Sequence, residues 1–285
     1  MSRVMPTAIL VLLTGGCVIP FEGWVDDADY VNVSRSEPAG DETSLRARVE
    51  LKVGELQVGP GPIDKAFEVD LRYNEKGLQP RVDFSREDRE ARLAISLEGG
   101  NRSFRTLGKN LISVRMNPRV PLTLDANTGV GESSIDLSDM NVRSVLLQSG
   151  VGETRLSMAR PNRGPCDRVE IASGVGTFQL VGLGNFGCRE FRFRGGVGES
   201  KLELSGDWAQ LGDIEVDVGV GGVQIVIPRN LAAEVRIAKG LFSDAQMPEF
   251  RKQGDTYISE NADRVDKMVR INVRAGIGGV NFRWM

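Results

Sequence analysis

The chain contains no histidine. That removes the commonest general base and the commonest ligand for zinc and copper. Cysteine is scarce, at 3 residues, which leaves too few ligands for a Cys/His zinc site. Aromatics are 6% of the 285 residues, so platforms on which sugar rings could stack are few. No sign of charge dominates. The 36 Lys and Arg against 39 Asp and Glu give a net −3, and no basic block or stripe marks a nucleic-acid binder. Long apolar runs are missing too: residues 4–13 are mostly apolar but too short to span a bilayer as a helix, and no later segment is longer. What is plentiful is glycine, at 34 residues, and its placement carries most of the information.

One glycine cluster invites a nucleotide reading. Gly182 to Gly187 reads GLGNFG, the G-x-G-x-x-G spacing of a dinucleotide-binding turn. That motif needs a strand before it and a helix after it. Thr177 to Val181 suits a strand, but Cys188 to Arg194 alternates Phe191 and Phe193 with arginines, a period of two, and reads as a second strand. The segment is therefore expected to be a glycine-rich bend, with no helix N-terminus for a pyrophosphate, no nucleotide and no other cofactor.

The N-terminus reads as an address. A basic start at Arg3, the short apolar stretch and Thr14-Gly15-Gly16-Cys17 look like an export signal with its cleavage site. A cysteine at the cut resembles the lipobox of bacterial lipoproteins, with Leu13 four residues before it. The resemblance implies that Cys17 carries the lipid, and Val18 in place of aspartate implies an outer-membrane destination. The alternative is an ordinary signal peptide with a chance cysteine. Residues 1–16 are thus read as signal peptide, and 17–44, polar and without periodicity, as the lipidated cysteine and a flexible tether.

A repeat explains the glycines. GVG or GIG begins at Gly129, Gly150, Gly174, Gly196, Gly219 and Gly276, at intervals of 21, 24, 22, 23 and 57 residues. With the first glycine as position zero, position −5 holds Leu124, Val145, Val169, Phe191, Ile214 and Ile271. Position −3 holds Ala126, Leu147, Ile171, Phe193, Val216 and Val273, and position +6 holds Ile135, Leu156, Leu180, Leu202, Ile225 and Phe282. Position +1 is valine throughout, with Ile277 the exception. Each unit reads as strand, glycine corner, strand, with alternate residues inward. A unit of about 22 residues cannot bury its own apolar stripe, but stacked neighbours can. The expected fold is all-β: a right-handed parallel β-solenoid, one coil per unit, with rungs about 4.8 Å apart. Gly129, Gly131, Gly150, Gly152, Gly174, Gly176, Gly196, Gly198, Gly219, Gly221, Gly276 and Gly278 are the structural corners, placed where the chain turns sharply and a neighbouring coil leaves no room for Cβ. The solenoid is assigned to 119–285. Residues 45–118, with weaker repeats and a corner-like Gly54-Glu55, form an N-terminal β region that caps it. The stretch 229–270 interrupts the repeat, either as one or two irregular coils or as a lateral loop.

Cys166 and Cys188 each stand eight residues before a corner glycine, in consecutive units. Stacking puts their Cα atoms about 4.8 Å apart, within disulfide range. An exported protein meets an oxidising compartment, so the two are expected to pair and leave Cys17 for the lipid.

The repeats, together with Val53-Gly-Glu-Leu-Gln-Val58, Leu71-Arg-Tyr-Asn74 and the closing Gly254-Asp-Thr-Tyr-Ile-Ser259 and Ile271-Asn-Val-Arg-Ala-Gly-Ile-Gly-Gly-Val-Asn-Phe282, resemble the toast-rack proteins. These are related to the C-terminal domain of LiaF-type cell-wall-active antibiotic response proteins. The resemblance covers roughly 45–285 and implies a β-helical domain at the bacterial envelope. LiaF-type members regulate stress signalling from membrane helices, whereas this chain has a lipidation signal instead. The resemblance supplies no catalytic residue.

Two arrangements hint at chemistry. Position +3 holds Glu132, Glu153 and Glu199, and a stacked Glu132–Glu153 pair suits a hard cation. Thr177 breaks that column, and Arg155 and Lys201 lie two positions on, so a solvated corner is the preferred reading, with no metal. Arg192, Arg194 and Lys201 could serve a polysaccharide-cleaving site, but no cluster is sharper than its neighbours. The expectation is a non-enzymatic, lipid-anchored envelope scaffold that binds a protein or wall polymer and no nucleic acid. The alternatives are a regulatory subunit of an envelope-stress system and a polysaccharide-active enzyme on a β-helix.

Overall fold

The computed structural model describes residues 30–99, 110–209 and 212–285, with the backbone alone at 239–243. Its strands join one 15-stranded sheet. The rungs are long strands, each bent at its glycines: β2 (Ser44–Pro60), β7 (Leu122–Asp136), β8 (Val142–Ser157), β9 (Cys166–Val181), β10 (Cys188–Glu203), β11 (Asp213–Ile227), β12 (Ala232–Gln246) and β15 (Met268–Trp284). The first leg of each rung runs up to the bend and the second runs away from it. Neighbouring rungs pair in parallel and keep the corner glycines in register: Gly54, Gly131, Gly152, Gly176, Gly198, Gly221 and Gly278 lie one above another. The residues at positions −5, −3 and +6 listed above are likewise partners from rung to rung, and all are buried. A buried Leu or Phe in these columns contributes about 1.5–3 kcal/mol, most of it offset by ordering the chain.

The bend changes which residues face inward. Positions −5 and −3 are buried before it, and +4 and +6 after it, so inward parity switches across the glycines. Simple alternation would carry the valines at +1 into the core. They face solvent instead: Val130, Val151, Val175, Val197, Val220 and Ile277 are 43–53% exposed.

The two glycines of each corner are needed for different reasons. The second has a positive φ, as at Gly152 (137°), where side chains are strongly disfavoured. The first has an ordinary φ, but a Cβ on Gly150 would stand 2.3 Å from the Gly129 carbonyl oxygen of the rung beneath. Lys52 confirms the distinction. It occupies the first-glycine place in β2, where residues 51–54 have no strand partner on the far side among the described residues.

The N-terminal end is capped by two extensions, each joined to β2 by a parallel strand and continued by antiparallel ones. Under the first leg of β2 lie β5 (Glu90–Gly99) and then β4 (Leu78–Glu87). Under its second leg lie β6 (Leu111–Met116), β3 (Lys65–Asn74) and finally β1 (Tyr30–Pro38). Strand β1 corrects the reading of 17–44 as tether throughout. Its polar composition concealed an edge strand, which is held by its backbone ladder to β3 and needs few buried side chains.

At the other end the order of rungs departs from chain order. Rung β15 lies directly on β11, and β12 lies outside it. The place on β11 requires both glycines: a Cβ on Gly276 or Gly278 would meet the Gly219 or Gly221 carbonyl oxygen at 2.5 or 1.8 Å. β15 supplies them. β12 carries Ser243 opposite Gly278, takes the outermost place, and breaks register between Lys239 and Phe242. The stretch 229–270 is therefore one irregular outer rung plus a hairpin of β13 (Phe250–Gln253) and β14 (Thr256–Ser259).

Candidate interaction surface

The outward residues form columns along the stack. On the first leg these columns are charged and tied together. Arg192 on β10 donates to Glu215 of the next rung at 2.8 Å and pairs with Glu190 at 2.6 Å. Hydrogen bonding to Glu215, then the charges of Glu190 and Glu215, hold its guanidinium above its ordinary pKa. Arg194 reaches Glu170 at 3.2 Å, and Arg274 reaches Asp217 at 2.5 Å. All but Arg192–Glu190, which lies within β10, bridge neighbouring rungs. Such exposed pairs contribute about 0–1 kcal/mol apiece, so they dress the face more than they hold it.

Lys201 lies beyond the bend on the second leg, in register with Gln179 and Gln224. The structure therefore does not assemble Arg192, Arg194 and Lys201 into one cluster, and both arginines are engaged by carboxylates.

The second leg carries the glutamate column. Glu55, Glu132 and Glu153 are partners in three successive rungs, followed by Thr177, Glu199 and Gly222. The corner-like Gly54-Glu55 of the sequence thus supplies the first member of the column, with Gly54 in the place of the second corner glycine. A shallow groove of about 250 Å³ runs beside these residues, lined also by Ser134, Arg155 and Gln179. Gln57 donates to Glu55 at 2.6 Å, and Arg155 hydrogen-bonds Gln179. Among the described residues no group of three or more His, Cys, Asp or Glu is arranged to hold a metal ion.

Between the two legs stands the ridge of +1 valines. On its first-leg side lies a second groove, of about 530 Å³. Its lining is small and neutral: Asn127 and Gln148, Ser149 and Ser173, and the glycines at position zero, with Arg194 its one charged residue.

The cysteines and the GLGNFG segment are structural. Cys166 and Cys188 are rung partners and form a disulfide with Cα atoms 4.3 Å apart. The segment between their strands holds one helical turn, α1 (Leu183–Phe186), where a plain bend was expected. All four residues of α1 are buried. The amide of Gly184 donates to Ser205, and that of Asn185 to Gly182. The Asn185 side chain donates to Met158 and accepts from the Asp207 amide, so it ties three successive returns together. These groups are spent on the chain itself, and a strand follows at once. Asn185 and its neighbour Asn162, which bridges Val142 and Phe186, were not singled out from sequence, because single asparagines carry no periodic signal. Cys17 lies outside the described residues.

A family model described as the N-terminal domain of toast_rack (DUF2154) matches residues 25–181. The chain belongs to the toast-rack family. Among solved structures it is similar to a "putative cell adhesion protein" from Clostridium sporogenes, at 17% identity and a TM-score of 0.49, over 90% of this chain and 100% of that one. A "putative adhesin" from Bacteroides fragilis is similar at 11% identity and a TM-score of 0.34, over 88% and 97%. One from Parabacteroides distasonis is similar at 9% identity and a TM-score of 0.38, over 88% and 97%. No curated protein matches the chain.

Proposed function

We propose that this toast-rack protein is a lipid-anchored scaffold of the bacterial envelope, facing the periplasm or cell surface, that binds a protein or wall polymer without transforming it. Its rungs form a right-handed solenoid with coils of about 22 residues. The observation that carries the reading is the outer surface. Outward residues are held in columns from rung to rung on a backbone locked by glycine registers and a disulfide, and a rigid surface of regular spacing suits an extended or repeating ligand. The charged first leg and the glutamate column supply the polar contacts. Cys17, through the Thr14-Gly15-Gly16-Cys17 stretch, supplies the anchor.

Fractionation of expressing cells, followed by sedimentation of the purified chain with isolated wall sacculi and with envelope proteins, tests this. Wild type should partition with membranes, Cys17→Ser should become soluble, and one wall or protein fraction should retain the chain intact. Membrane retention of the Cys17→Ser chain, or release of soluble sugars from the sacculi, would refute the anchor or the non-enzymatic reading respectively.

A further inference from the structure

We infer that the valine ridge is a self-association surface, on which a second copy of this chain seats its own ridge in the neutral groove alongside. The ridge is an unbroken line of apolar side chains: Val130, Val151, Val175, Val197, Val220 and Ile277 are successive rung partners, each about half exposed. Six residues at one rung spacing run about 24 Å. Together they leave about 400 Å² of apolar surface, within the roughly 300–600 Å² at which a patch on a monomer already tends to be functional.

The choice of occupant follows from what flanks the line. On one side stand Glu55, Glu132 and Glu153, which repel anionic headgroups and anionic polymers and are costly to desolvate. On the other side lies the groove of Asn127, Gln148, Ser149, Ser173 and the corner glycines, whose one charge, Arg194, is already paired with Glu170. An apolar ridge therefore fits the neutral groove. A partner filling that groove must present knobs at the spacing of its rungs, and a second copy has that spacing built in. Ridge and groove lie side by side, so a two-fold axis between copies seats each ridge in the other's groove, the self-complementary arrangement of a C2 dimer. Burying both elements in each copy removes about 500 Å² per partner, about 1,000 Å² in all, which is the lower bound for a specific interface and the size of a weak dimer. The glutamate columns stay at the rim and keep their water. The inference is independent of what the outer faces bind.

Sedimentation equilibrium of the full chain in detergent, across micromolar to millimolar protein, tests it against the double variant Val151→Asp/Val175→Asp. Wild type should dimerise. The variant should weaken the dimer on the order of 100-fold or more, since each aspartate would be buried without a partner. Its thermal unfolding midpoint under monomeric conditions should match wild type, because both positions face solvent in the single chain. A photo-cross-linking residue in place of Val175, used in intact cells, should give an adduct of twice the chain's mass. A monomeric wild type, an unaffected variant, or an adduct with any other protein or with lipid overturns the inference.

Discussion

Replacing Gly152 by alanine is the sharpest perturbation the fold offers. Gly152 has φ 137°, and a Cβ there would stand 1.8 Å from the Gly131 carbonyl oxygen. Real contacts begin near 3.4 Å, so the rungs would have to part by more than an ångström at a point where both neighbours are backbone. The conformational strain alone is about 1–3 kcal/mol. Opening the ladder forfeits hydrogen bonds on at least one side, at about 0.5–1.5 kcal/mol each. The expected loss is about 3–5 kcal/mol, among the largest that single substitutions produce.

Two other glycines calibrate that figure. Gly150→Ala has no φ penalty but meets Gly129 oxygen at 2.3 Å, so it should cost less, about 2 kcal/mol. Gly279→Ala has an ordinary φ and nothing within 4 Å of its Cβ. It should be neutral or stabilise by about 0.4–1 kcal/mol, through the lost freedom of the unfolded chain. Denaturant midpoints of the three purified variants give the ranking directly. A Gly152→Ala chain as stable as wild type, or one more stable than Gly279→Ala, would refute the account of why the repeats need glycine.

Two further predictions concern the ends and the middle of the stack. Replacing Cys166 and Cys188 together by serine should cost about 3 kcal/mol in denaturant titrations, since the bridge closes a separation of 22 residues; an unchanged midpoint would show that stacking alone fixes this register. Glu42 has a side chain only 2% exposed and holds Arg86 at 2.6 Å and the Gly40 amide at 2.8 Å. Burial pushes its carboxyl up, but Arg86 and the amides of Glu42 and Gly40 outweigh that and hold its pKa below the ordinary glutamate range. The stabilisation is therefore present above the unfolded pKa and is lost as pH falls through the lower folded value. Glu42→Gln should cost about 1–3 kcal/mol at neutral pH and flatten the stability curve below about pH 5, so parallel wild-type and variant curves would sink the assignment.

The sequence by itself determined the rung and its filling. Residues at −5, −3 and +6 are apolar in every unit because each must enter a shared interior, and the structure buries them all. The cysteine register was legible for the same reason: equal distance from a corner means equal height on the next rung. Tertiary structure decided what is chemically degenerate along the chain. Any unit's columns can stack on any other's, so periodicity does not say which rung lies on which. A strand on β11 meets the Gly219 and Gly221 carbonyl oxygens and needs glycine at both places, which β15 has; β12 pairs outside β15 only by breaking register between Lys239 and Phe242. The valines at +1 share the composition of the core. Only the bend at the first glycine of each corner, between the inward position −1 and the outward position +1, turned them out to the solvent.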